Sequence, residues 1–222
     1  MNIAILLPSF FPNLTHLSIL KNADEAYWLT DEIFSRKSLV HRGQIRNPDN
    51  AIWLTIPIHP DDKKKPLHEV RLLDGDMWIP DFMRTIALNY RNSVYFDFYE
   101  PEIKDDFYKA AETGFLTEAI IYFSTRLFRY LEWEHKPVLL NIREEALKLI
   151  EMHENAHVWV EPRSRFYRKK LPSQTEVNAV SVTYRQHFAG FISDCCVLDL
   201  LFQYGPESWK ILDDLRIQKI DF

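Results

Sequence analysis

Apolar residues along the chain follow two rhythms: short dense runs bounded by Pro, Asn or Asp, and longer stretches in which they return every three or four positions. Asn2–Leu7 is a short apolar run halted by Pro8, which predicts a buried strand, and Pro12 then permits a helix over Leu14–Lys21. Glu25–Thr30 (EAYWLT) and Ala51–Ile58 (AIWLTIPI) are rich in β-formers and predict two further strands. Between them, Ser35–Asn47 carries Arg36, Lys37, Arg42 and Arg46. Asp61–Pro66 (DDKKKP) reads as a charged, solvated turn, and His68–Leu73 as the strand that returns from it.

The second rhythm begins at Trp78. Trp78, Phe82, Ile86 and Tyr90 fall every four residues along one helix stripe, the usual mark of a core face. Phe107–Trp133 continues at helical period with Gly114 as a break, Leu139–Met152 predicts an amphipathic helix after Pro137, and His157–Val160 looks strand-like before Pro162. In FISDCCVLDLLFQYGPES, residues 191–208, Leu198–Gln203 completes a helix and Gly205-Pro206 turns the chain. Glu207–Leu215 forms a last amphipathic helix. The pattern predicts an α/β fold in one domain over 1–222, with a central mixed sheet built from N-terminal strands and flanked by helices mostly from the C-terminal half.

Composition narrows the classes. The chain is 46% hydrophobic and 14% aromatic, which describes an ordered protein, and its net charge of -5 gives no basic footprint for nucleic acid. No apolar run approaches the roughly 20 residues needed to span a bilayer, and no basic leader precedes the first strand, so a cytoplasmic location is expected. With 5 glycines and neither GxGxxG nor GxxxxGK[ST], no dinucleotide or other cofactor is expected. The adjacent Cys195 and Cys196 sit in an apolar helix pattern and read as small packed hydrophobes. Arg163–Lys170 (RSRFYRKK) interleaves Phe166 and Tyr167; it suits either a solvated loop or a grip on a phosphate or sugar nucleotide.

Several segments carry a family resemblance. They are IAILLPSFFPNLTHLSILKNAD over 3–24, Asp31 with Ser35–Arg42, Leu54-Thr55-Ile56-Pro57, the Trp78–Tyr90 stripe followed by YFDFYEP, and Leu198–Phe202 with Gly205-Pro206-Glu207-Ser208. This set resembles the WbqC-like family, bacterial proteins associated with surface-polysaccharide and other glycan loci. The resemblance implies group transfer on a small-molecule substrate, a nucleotide-linked sugar. Asp31 would be the base or hydroxyl acceptor, His16 a second catalytic group, Arg42 an anion clamp, and Trp78 and Tyr90 substrate-binding residues. Departures fall on polar positions: Leu7 stands where the family usually has Gln, Phe82 where a His is common, and Val40, His41 and Gly43 surround the Arg in place of Gln and Asn. Apolar replacements cannot move a proton, so a non-catalytic scaffold or ligand-binding protein with a decayed site is the alternative.

Two other motifs compete. SFFPNLTHLSIL resembles the phosphate loop of cytidylyltransferase-like nucleotidyltransferases, although only His16 of the histidine pair is present. His153-Glu154-Asn155-Ala156-His157 matches H-E-x-x-H and resembles a gluzincin, with Glu176 as third ligand of a zinc hydrolase. Against zinc, HVWVE already alternates from His157, which would take the second imidazole off the helix face. Asp194 and Asp199 are the acids of the C-terminal signature, and are expected to face solvent or brace a neighbouring loop.

Overall fold

The structure, a computed structural model, describes residues 1–133, 138–140, 145, 148, 151–152, 157–160, 176–178, 182–215 and 218–220. The first apolar run forms β1 (Asn2–Leu6), and Asn13 caps helix α1 (Leu14–Asn22) by accepting the His16 backbone N–H at 2.9 Å. Strand β2 (Glu25–Leu29) returns parallel to β1, aligned Ile3↔Glu25, and completes a βαβ unit. β5 (Val138–Leu140) lies parallel to β2, and β6 (His157–Val160) parallel to β1. The order β5-β2-β1-β6 puts β1 inside the sheet, where Ile3, Ala4, Ile5 and Leu6 are buried on both faces.

The α/β class is therefore observed, with the four-stranded sheet parallel throughout. Among the described residues the antiparallel strand pairs are β3 (Arg42–Arg46) with β4 (Ala51–Thr55), and β7 (Glu176–Asn178) with β8 (Gln218–Ile220), beside isolated antiparallel bridges such as Asn13↔Cys196. The charge of Ser35–Asn47 concealed β3. Two segments differ from expectation. Leu139 and Leu140 lie in β5 rather than opening a helix, although Glu145, Lys148, Glu151 and Met152 are helical. Residues 68–73 form no return strand; a single 3-10 turn (Leu67–Glu69) is followed by isolated bridges Ile58↔Leu72 and Arg71↔Phe115. The charged tip before it is anchored, because Asp62 is buried and accepts from Arg71 Nε at 2.8 Å and Lys65 Nζ at 2.7 Å. Those partners, the Arg71 bonds foremost, hold its carboxyl well below the usual carboxylate range.

Helix α2 (Ile79–Tyr90) buries the predicted stripe, and α3 (Phe96–Glu112) and α4 (Leu116–Tyr130) pack beside it. Buried Asp106 ties α3 to α4, accepting from Arg126 Nε at 2.9 Å and Tyr130 Oη at 2.5 Å. α4 ends in a Schellman motif: Trp133 N–H donates to Phe128 O at 2.9 Å and Glu132 N–H to Arg129 O at 3.1 Å. Glu132 takes the left-handed conformation (φ 53°) usually left to glycine. α5 (Val197–Tyr204) docks through Val197 N–H on Pro12 O (2.9 Å), and Gly205 (φ 53°) leads into α6 (Ser208–Asp213). A side chain on Gly205 would meet the Tyr95 ring at 2.6 Å. One apolar core runs from Ala4 to Leu215. Among the described residues no helix is long and apolar enough to cross a membrane.

Candidate functional site

In open parallel sheets, ligands bind outside the carboxyl ends of the strands, where the strand order reverses. Here the chain leaves β1 toward β2 and β5 and later returns to β6 on the other side of β1, so the reversal lies at β1. The carboxyl end of β1 opens into the loop 7–13 and the first turn of α1, which carries His16. The imidazole is 7% exposed, and its Nε2 has no hydrogen-bond partner. Burial lowers its pKa from 6.5 to about 4, so at neutral pH it is an uncharged acceptor or donor.

The carboxyl end of β2 supplies Thr30, Asp31 and Glu32, the first and last buried and Asp31 half-buried. His68 closes this edge. Its Nδ1 lies 3.0 Å from the Thr30 carbonyl and therefore carries the hydrogen, while Nε2 is 3.8 Å from the Glu69 carboxylate. Asp31 and His16 thus stand at the same end of the sheet. Sequence reading missed His68, because a histidine in a short turn gives no periodic signal.

The remaining predicted residues lie elsewhere. Arg42 opens β3 with Nε donating to Ser38 O (3.2 Å), Nη2 donating to Lys37 O (2.8 Å) and its guanidinium 4.1 Å from the Trp53 ring centre. Trp78 is buried between Phe82 and Phe107, its Nε1 donating to Leu73 O at 3.3 Å. Tyr90 is fully buried. Both belong to the core.

The positions where polar residues give way to apolar ones converge in space. Phe82 stacks on Phe11 at 5.6 Å, Phe10 stacks on Phe123 at 4.5 Å, and Phe107 touches all four rings. Phe10 N–H donates to Val40 O at 3.0 Å, and a Cβ on Gly43 would come within 2.5 Å of Phe11 Cβ. Aromatic rings fill the space between the 7–13 loop and helices α2 to α4. Next to it, His41 is buried against Phe34, with Nδ1 unpartnered. Its pKa is lowered to about 4 by burial and, secondarily, by the Arg42 charge.

A second polar cluster surrounds Asp199, which is 1% exposed. Its two oxygens accept from Tyr90 Oη and Tyr184 Oη, each at 2.7 Å. Tyr90 Oη also accepts the Arg46 backbone N–H at 2.8 Å, and the Arg46 guanidinium donates to Asn50 O (3.0 Å) and Ala189 O (2.8 Å). Burial raises the Asp199 pKa against the pull of its two tyrosines. Closed to solvent, the cluster braces residues 184–196 against α2 and β3, so Asp199 fulfils the bracing expectation and not the solvent-facing one. Its cue in the sequence was an acid inside the apolar run VLDLLF. Cys195 and Cys196 are buried free thiols, Cys195 raised to about 12 by burial, which makes them poor nucleophiles at neutral pH.

Among the described residues no group of three His, Cys, Asp or Glu side chains is placed to hold a metal. His157 opens β6 opposite Asn2, and Glu176 opens β7, whereas the H-E-x-x-H geometry needs both imidazoles on one helix. His153, Glu154 and the basic stretch 163–170 lie outside the described residues.

Among known families, the model of the WbqC-like protein family matches residues 8–211. No curated protein and no solved structure matches.

Proposed function

The chain belongs to the WbqC-like protein family, and from that membership we infer that it acts in bacterial glycan or surface-polysaccharide biosynthesis, transferring a group from a nucleotide-linked sugar. The observation that carries the reading is that His16 and Asp31 flank one carboxyl edge of the parallel sheet. A buried ring nitrogen without a partner is costly unless it has a use, and a neutral imidazole can accept or donate a hydrogen bond to a reacting hydroxyl. In this reading Asp31 accepts the proton of the acceptor hydroxyl as its oxygen bonds to the sugar carbon. The bond from that carbon to the diphosphate breaks, and the nucleoside diphosphate leaves with the electron pair. Arg42, which lies apart from that edge, enters this reading only as the anion clamp that the family resemblance implies.

Calorimetry with a panel of uridine, cytidine and thymidine sugar nucleotides tests it. Binding should weaken roughly tenfold or more in Asp31→Asn and Arg42→Ala. Unchanged binding in both variants would show that the site lies elsewhere.

The aromatic filling around Phe11 and Phe82 favours a second reading, a family member that binds ligand without turning it over. Release of nucleoside diphosphate by wild type, lost in His16→Gln and Asp31→Asn, would rule that out. Tight binding without release would establish it.

A further inference from the structure

Asp194, the other acid of the C-terminal signature, lies exposed and holds its backbone in the left-handed conformation, with φ at 65°. Glycine is the residue that such a backbone favours, and a residue with a side chain keeps it at a cost in stability. Among the described residues Glu132 is the other non-glycine with a positive φ, and it closes a helix end. Asp194 closes none.

Its side chain reaches the start of the chain instead. Oδ1 accepts from Asn13 Nδ2 at 3.4 Å, across 181 positions of sequence, and Oδ2 accepts from Ser193 Oγ at 3.4 Å. Asn13 is the buried cap of α1, and its Oδ1 accepts the His16 N–H at 2.9 Å. One end of a carboxamide accepts and the other donates, so an asparagine caps a helix in only one of its two flips. An acceptor on the far side of Asn13 selects the flip that turns Oδ1 to the helix. The backbone keeps the partners side by side, since Asn13 and Cys196 form an antiparallel bridge and Val197 N–H donates to Pro12 O at 2.9 Å. The segment ahead of Asp194 is braced as well. Gln186 Nε2 donates to Ile192 O at 3.0 Å and Gln186 Oε1 accepts the Ile192 N–H at 2.8 Å, which closes residues 187–191 into a loop.

We propose that Asp194 is a positioning residue of the strand-end site: through Asn13 it fixes the first turn of α1, and with it the imidazole of His16. The role rests on the reading above, in which His16 meets a reacting hydroxyl. Glycine would relax the backbone at 194 and leave the Asn13 amide without its acceptor, which accounts for an acid at a position that favours glycine.

The test needs no ligand, so its outcome is separate from that of the sugar-nucleotide titrations. The full chain, isotope-labelled for magnetic resonance, is compared as wild type, Asp194→Gly, Asp194→Asn, Asn13→Ala and the double variant Asn13→Ala with Asp194→Gly. Hydrogen exchange at the His16 backbone amide, the ring-nitrogen signals of His16 and the melting temperature are measured. Asp194→Gly should speed exchange at His16 roughly five- to tenfold and move its ring signals, with the melting temperature unchanged or higher. Asp194→Asn keeps an acceptor oxygen and tolerates the left-handed backbone, so it should behave as wild type. The double variant should exchange no faster at His16 than Asn13→Ala, because Asp194 acts through the cap. Unchanged exchange and unmoved ring signals in Asp194→Gly overturn the proposal. So does a double variant in which the two single effects multiply, or an Asp194→Asn that matches Asp194→Gly. If these shifts appear while no sugar nucleotide binds the wild type, the hold of Asp194 on His16 stands and the group-transfer reading falls.

Discussion

Acidification should destabilise this protein earlier than its carboxylates alone would. His16 and His41 are buried, and burial brings each imidazole from 6.5 to about 4 in the folded state. Between these values the unfolded chain binds protons that the folded chain refuses, so stability is present above pH 6.5 and falls as pH drops toward 4. At pH 5 each unfolded imidazole is charged and each folded one neutral, a loss of about 2 kcal/mol per residue relative to pH 7. Asp199 works in the opposite direction. Its raised pKa means the folded state holds its proton longer, so its contribution declines as pH rises above the ordinary carboxylate value. Urea unfolding at pH 7 and 5, at constant ionic strength, should show a wild-type loss approaching about 4 kcal/mol from the two histidines. His16→Leu and His41→Leu should each recover about 2 kcal/mol of it, and comparing variants with wild type cancels the Asp199 contribution. A wild-type loss under about 1 kcal/mol, or variants whose loss equals that of wild type, would refute the assignment of buried neutral imidazoles.

Three further outcomes follow from the packing. Tyr90→Phe strips a bond from Asp199 and orphans the Arg46 N–H, so chemical denaturation should show a loss of about 2–4 kcal/mol, against about 1–3 for Tyr184→Phe, which leaves no backbone donor unpaired. Glu132→Gly places the preferred residue at a left-handed helix end and should stabilise by about 1 kcal/mol, read as a rise of roughly 2–4 °C in calorimetry. Gly205→Ala drives a Cβ into the Tyr95 ring and should cost about 3 kcal/mol or more, enough to lower soluble expression measurably.

Much of the architecture was legible because it rests on burial. The run IAILL announced the central strand, Asn13 and Pro12 the start of α1, and the four-residue stripe from Trp78 to Tyr90 the face of α2. Elements whose logic is not periodic escaped. Strand β3 hides among arginines because Arg46 is buried through hydrogen bonds rather than apolar contact. α3 was missed before Phe107 because Pro101, which usually marks a boundary, sits inside it. At the site, His16 and Asp31 could be named from local motif likeness. The core placement of Trp78 and Tyr90 followed from the stripe itself; Asp199 was legible as a bracing acid in an apolar run, but its partners were not, since Arg46, Tyr90 and Tyr184 come from distant parts of the chain.

The position of β1 sets the order in which the chain can mature. Asn2–Leu6 is made well before His157–Val160, and one of its two edges stays unpaired until that strand has been made. While the intervening residues are made, an apolar strand with an open edge must wait, a state prone to pairing with other nascent chains. Fragments ending near residue 133 would keep that edge permanently open, so shortened forms should accumulate as aggregates even though helices α2 to α4 are complete.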